Sequence, residues 1–172
     1  IALFSSTIHS APSNPKTMGK DININADMFE VDAKANIVVA SGNVVVKQKD
    51  VTLYGKKALY NQKKQLIKVI DGVRMVRGDM LLTCNQANAD GANDIIKALG
   101  NVYFTFSNIK GTAENAKYNL KTQTILLLGK PHAWKGKDEI FGETIYIDLK
   151  EEKITTRGKA KVIISEETLQ TK

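Results

Sequence analysis

The sequence predicts an all-β fold: a single-domain antiparallel β-jellyroll, V-shaped, made by folding over a meander of five 29-residue repeats. Three observations carry that expectation. Counting in steps of 29 from Asp32 lands on Asn61, Asp90, Asn119 and Asp148. In the same register, Val38, Ile67, Ile96, Ile125 and Ile154 occupy a β-branched slot, while Ala26, Gly55, Cys84, Ala113 and Gly142 occupy a small one. A third slot holds Gly42, Gly100, Gly129 and Gly158, the second copy having Asp71 there with Gly72 one place late. Register kept without insertions marks repeated supersecondary units that bury their faces against their neighbours.

Each element follows from one repeat. Asp or Asn opens a polar turn such as Asn61-Gln62-Lys63-Lys64, since these side chains bond the backbone just ahead of them and tolerate the left-handed region. A calcium ladder is the competing reading of the periodic carboxylates, but the dense Gly/Asp pattern of such repeats is missing. From Leu66 to Val76 apolar residues alternate at Ile67, Val69, Val73 and Met75, as they do at Val38, Ala40, Val44 and Val46 and at Ile96, Ala98, Val102 and Phe104. Period two with one apolar face is a half-buried strand. The glycine slot falls in the middle of that face, which predicts a crease in each strand. The returning strand slips phase once, from Leu53 and Gly55 to Ala58 and Tyr60, from Leu82 and Cys84 to Ala87 and Ala89, and from Ile140 and Gly142 to Ile145 and Ile147. A bulge beside a small residue lets a strand turn a corner and keep its apolar face inward.

Five repeats therefore give about ten long strands. Short polar turns such as Lys47 to Asp50 make consecutive strands antiparallel neighbours. The best helical alternative, Glu114 to Asn119, falls in a slot that is strand-like elsewhere. Folded at its creases, the meander becomes two facing leaves with the apolar slots between them.

With 172 residues the chain is one domain by length, large enough to bury roughly 70% of its unfolded surface. Lone Cys84 excludes an intramolecular disulfide and reads as a packed thiol. The net charge of +7 favours acidic partners such as phosphorylated glycolipids, anionic membrane surfaces or nucleic acid, or else marks a solvated lysine-rich surface. The apolar start, Ile1 to Ala11, runs into Pro12-Ser13-Asn14-Pro15. Residues 1–20 are expected to be a signal-peptide remnant and linker, with a truncated membrane anchor or a disordered leader as alternatives. The jellyroll is expected over 21–164 and a tail over 165–172. His9 and His132 are the only histidines, no Ser/His/Asp or Cys/His spacing has support, and no Gly-rich loop opens a helix. No catalytic residue, metal or cofactor is expected, and the chain is read as a non-enzyme.

Ile22-Asn23-Ile24-Asn25-Ala26-Asp27 and Ala40-Ser41-Gly42-Asn43-Val44-Val45-Val46, with Trp134-x-Gly136, Ile140-x-Gly142 and Ile145 further on, resemble the OstA-like/LptA family over about residues 21 to 164. That resemblance implies a periplasmic jellyroll that holds the acyl chains of lipopolysaccharide between its leaves. It further implies end-to-end bridging of the inner and outer membranes, with LptC-like and LptD-like jellyrolls and further copies of the chain as partners. Edge strands near 22 to 31 and 154 to 164 are where strand addition is expected.

The lipid-contacting set is expected among the inward slots: Phe29, Val38, Val44, Leu53, Tyr60, Ile67, Met75, Leu82, Ile96, Phe104, Tyr118, Ile125, Ile140 and Ile147. Lys56, Lys57, Lys63 and Lys64 near turns either meet lipid phosphates or are solvated surface. In the fourth unit Pro131 and Gly111 replace the Val and Leu of the other copies, which predicts an irregularity and a lateral opening there. Two other readings compete: a membrane-anchored LptC-like component, and a structural β-repeat protein with a filled core. Nucleic acid is not expected as a partner, because the aromatics are assigned mainly to inward slots.

Overall fold

The computed structural model describes residues 22–166. The leader and linker expected over 1–20, with His9, and most of the tail expected over 165–172 lie outside the described residues. Fourteen strands form one antiparallel sheet. In chain order they are β1 Ile22–Asn25, β2 Met28–Asp32, β3 Ile37–Gln48, β4 Val51–Asn61, β5 Leu66–Arg77, β6 Met80–Asp90, β7 Ile95–Phe106, β8 Ile109–Asn119, β9 Thr124–Leu128, β10 His132–Lys135, β11 Asp138–Phe141, β12 Thr144–Asp148, β13 Lys153–Arg157 and β14 Lys161–Ile163. The helical alternative over Glu114 to Asn119 is strand β8.

The six long strands β3 to β8 cross both leaves. Leaf one continues them with β1 on one side and β10, β11 and β14 on the other; leaf two continues them with β2, and with β9, β12 and β13. Along the crease the pairing register shifts between Ser41 and Val44, Tyr54 and Lys57, Ile70 and Val73, Thr83 and Gln86, and Leu99 and Val102. The remaining four of the ten expected strands are cut at this line into β1/β2, β9/β10, β11/β12 and β13/β14. Pro131, which lacks an amide hydrogen, stands at the second of these cuts.

Two consecutive left-handed residues make each crease. They are Gly42-Asn43 (φ 78° and 44°), Asp71-Gly72 (67° and 68°), Gly100-Asn101 (76° and 50°), Gly129-Lys130 (77° and 48°) and Gly158-Lys159 (72° and 44°). Because both positions are left-handed, the late glycine of the second copy is accommodated: Gly72 takes the second place and Asp71 the first. A polar residue faces the turn sixteen positions earlier. Asn43 Nδ2 donates to Asp27 Oδ2 at 2.9 Å, Lys130 Nζ lies 3.4 Å from Glu114 Oε1 and Lys159 Nζ 3.9 Å from Glu143 Oε1. Asp27, Lys56, Asn85, Glu114 and Glu143 are themselves 29 apart, a polar register that hydrophobic periodicity does not reveal. Where Lys56 replaces the acid or amide, the acid appears on the crease as Asp71.

The turns obey the other register. Asp32, Asn61, Asp90, Asn119 and Asp148 each accept backbone N–H bonds through Oδ1 from residues two or three further on, at 2.9 to 3.1 Å. Asn36, Gln65, Asp94, Gln123 and Glu152 then close the turns at φ between 47° and 57°. The periodic carboxylates and amides hold turns, as their side-chain chemistry dictates.

Between the leaves lies one apolar core, which includes Val44, Val69, Met75, Leu82, Phe104, Ile109, Ile125, Leu127, Ile145 and Ile147. Cys84 is buried among them; burial pushes its thiol up to about 11, against backbone hydrogen bonds with Leu99 and Gln86.

A two-leaved trough as the candidate binding site

Alternate residues of each strand line the trough, and residues paired across neighbouring strands point to the same face. Of the expected set, Val44, Leu53, Ile67, Met75, Leu82, Ile96, Phe104, Tyr118, Ile125 and Ile147 are buried in this interior. Val38, Tyr60 and Ile140 are half-buried. Phe29 pairs with buried Ala40 and so shares its inner face, yet it is 47% exposed. Its neighbour Val31, opposite Val38, is 64% exposed. Both stand on β2, which among the described residues pairs only with β3, so no further described strand covers them. The far end is similar: Val162 of β14 pairs with Ile140 and is 52% exposed. Among the described residues the apolar interior thus reaches solvent at both ends of the sheet.

Two expectations are corrected here. Gly111 does not mark an opening. It pairs directly with Phe104, and a Cβ on it would collide with Phe104 Cε1, with Leu127 Cδ1 at 3.0 Å; the missing side chain is filled by the phenyl ring. Nor do the aromatics lie mainly inward. Tyr54, Tyr103, Trp134, Phe141 and Tyr146 alternate with inward residues and face outward. Tyr54 carries Arg74 4.2 Å above its ring, and the His132 ring lies tilted against Trp134 at 3.7 Å and stacks on Phe141 at 4.0 Å. His132 Nε2 is 2.9 Å from Glu139 Oε2. Period two shows that faces alternate, whereas which aromatic falls on which face depends on the phase slip at each crease.

The turn-bearing tips of the leaves meet along a second line, opposite the crease. Gln48, Arg77, Phe106 and Lys135 are the inward tip residues of leaf one, 29 apart. Gln48 lies over Gly91, where a Cβ would sit 3.2 Å from its Nε2. Arg77 donates through Nη1 to Tyr118 Oη at 2.7 Å and to the Leu120 carbonyl at 2.8 Å, and through Nε to Asp50 at 2.7 Å. Lys135 Nζ donates to the Glu152 carbonyl at 2.7 Å. Lys49 Nζ adds a contact to Asp94 Oδ1 at 3.1 Å. Burial disfavours charge on Arg77, but the bonds to Asp50 and Tyr118 outweigh it and hold the guanidinium above its ordinary value. Burial raises the Tyr118 phenol in turn, against the Arg77 bond.

Behind Lys49 and Arg77 lies a cavity of about 280 Å³. Val46, Leu53, Ile67, Ala89 and Ile96 form its apolar walls, and Asp50, Asp94 and Lys121 share its rim. The rim cations are therefore Lys49, Arg77 and Lys121, of which Arg77 is half-buried and the two lysines exposed, whereas the exposed Lys56, Lys57, Lys63 and Lys64 do not line the cavity. Nothing in the local sequence distinguishes these two groups of cations, because the rim is assembled from turns 43 to 45 residues apart.

A continuous antiparallel sheet, creased along one line and closed over an apolar interior with open ends, defines an all-β trough protein. A family model described as LptA/(LptD N-terminal domain) LPS transport protein matches residues 23–153, and the chain belongs to that family. Among solved structures the chain is similar to LptH, the LptA homologous periplasmic component of the conserved lipopolysaccharide transport device from Pseudomonas aeruginosa. The two share 16% identity over 88% of this chain and 99% of that one, with a TM-score of 0.37. No curated protein matches the chain.

Proposed function

We propose that this chain is a non-enzymatic periplasmic carrier that holds the acyl chains of lipopolysaccharide between its leaves and bridges inner and outer membranes by end-to-end association. The observation that carries the reading is an interior left uncapped among the described residues: apolar side chains run from Phe29 and Val31 at one end to Val162 at the other. Removal of acyl surface from water, at about 25 cal/mol per Å² before the costs of binding, supplies affinity without needing a specific polar contact. Among the described residues the end strands β1, β2, β13 and β14 each pair on one side only, and an open edge beside exposed apolar side chains suits addition of a strand from LptC-like and LptD-like jellyrolls or from another copy. Photo-crosslinking in cells from Ile67, Phe104 and Ile125 tests the lipid reading. Lipopolysaccharide adducts are expected at these positions and not at outward-facing Lys68, and their absence from all three rejects it.

A structural repeat protein with a filled core is the second reading. It is favoured by the centre of the trough, where Met75, Phe104, Ile125 and Ile145 are fully buried against one another's leaves. A fluorescent acyl probe that never binds would support it.

A further inference from the structure

Arg77 is an unusual choice for its place. The equivalent inward tip of the next repeat is Phe106, which borders the same recess as Leu149 of the opposite leaf, so burial alone is able to close the tips. In the second repeat the same slot carries a cation whose side chain is only 17% exposed, held over an apolar cavity by a phenol, a backbone carbonyl and a carboxylate. Desolvating a guanidinium is costly, and its fork is matched only in part by these partners. Asp50, its one charged partner, is 60% exposed and free to turn into water. The Leu120 carbonyl borders the cavity, whereas Tyr118 is buried; releasing Arg77 therefore requires that water entering between the opened tips, or the incoming group, bond the Tyr118 hydroxyl.

Lys49, 50% exposed, makes a second crossing one turn away, where its ammonium reaches across to Asp94 on the opposite leaf. Both contacts cross from leaf one to leaf two, and both guard the same cavity. A phosphate offers Arg77 a stronger, charge-assisted partner than a phenol or a carbonyl, and a bidentate one, and offers Lys49 an anion to exchange for the Asp94 carboxylate. An acyl chain entering between the tips would bring such a head group to this rim.

We propose that Arg77 and Lys49 form an exchangeable latch that closes the tips over the empty cavity and passes to the phosphate of an anionic amphiphile when its chain enters. This inference rests on the lipid-carrier reading and assigns it a head-group site. The Arg77 side chain then works twice: bonded to Leu120 and Tyr118 it keeps the leaves together, and bonded to phosphate it selects phosphorylated over neutral amphiphiles.

The test compares a long-chain alkyl phosphate with the alcohol of the same chain, each displacing a fluorescent acyl probe from the full chain. The wild type is expected to prefer the phosphate, and Arg77→Gln to reduce that preference about tenfold or more, as loss of a charge-assisted bond implies. The same variant is expected to admit the alcohol faster, because the latch is released. Arg77→Lys keeps the charge and loses the fork, so it retains part of the preference and serves where Arg77→Gln unfolds. Lys68→Gln, on the outer face, leaves the preference unchanged. Equal binding of both amphiphiles, or a preference indifferent to Arg77 and erased by Lys68→Gln, overturns the latch and leaves the carrier reading intact. Binding of neither amphiphile to the wild type rejects the carrier reading itself, and the latch with it.

Discussion

At the scale of single residues, backbone conformation and steric contact can be separated along the crease. Gly100 sits at φ 76°, and a Cβ there would lie 2.5 Å from Asn85 Nδ2. Gly72 sits at φ 68° with nothing within 4 Å of a built Cβ. An L-residue in the left-handed region costs about 1–2 kcal/mol. Gly72→Ala is therefore expected to lose about that much and Gly100→Ala measurably more, because Asn85 must also move. Urea titration of the two variants checks the order; equal losses would mean that the facing residue gives way freely. The glycine slot was legible from its spacing, and so was the Asp/Asn turn. The facing register of Asp27, Asn85, Glu114 and Glu143 was not, since acid and amide residues are common on any surface and only the fold shows what they face.

Among elements, the fourth repeat shows what a departure from the pattern means. Pro131 is buried at the cut between β9 and β10, and the Glu114 N–H there donates to the Gly129 carbonyl at 2.8 Å. The break is bridged by hydrogen bonding. Gly111 on β8 accommodates the ring of Phe104 on β7, so a small residue and a large one on paired strands compensate. Gly111→Leu is expected to force the ring out of place and destabilise the fold by about 1–3 kcal/mol, the usual range for overpacking. A variant as stable as wild type in thermal melts would show instead that space for a leucine exists between the leaves. Sequence alone revealed the exception at Gly111, whereas its partner Phe104 lies in the preceding strand and only the register of pairing identifies it.

On the scale of the whole molecule, the sheet is long, one-dimensional in its repeats and, among the described residues, uncovered at both ends. Such an array exposes apolar surface at its terminal units unless something caps them. Val162, inward-facing and half exposed at the β14 end, marks that surface. If copies associate end to end, Val162→Asp is expected to shift the species seen by light scattering towards monomer, with the melting transition little changed because the side chain is already in water. Assemblies that persist unchanged would place the contact elsewhere.

The sequence by itself determined the repeat length, the turns, the alternation of faces and the creases. All of these are local properties, written within 29 residues in side-chain chemistry and backbone preference. Only the tertiary structure decided which tips meet. Lys49 reaches Asp94, and Arg77 reaches Leu120, across 45 and 43 residues of chain. That pairing depends on the angle at which two creased leaves close, a quantity summed over every strand and written in none of them. The same closure turned a periodic apolar pattern into a cavity whose rim carries Lys49, Arg77 and Lys121 beside Asp50, Asp90 and Asp94, and among the described residues left the interior open at its ends.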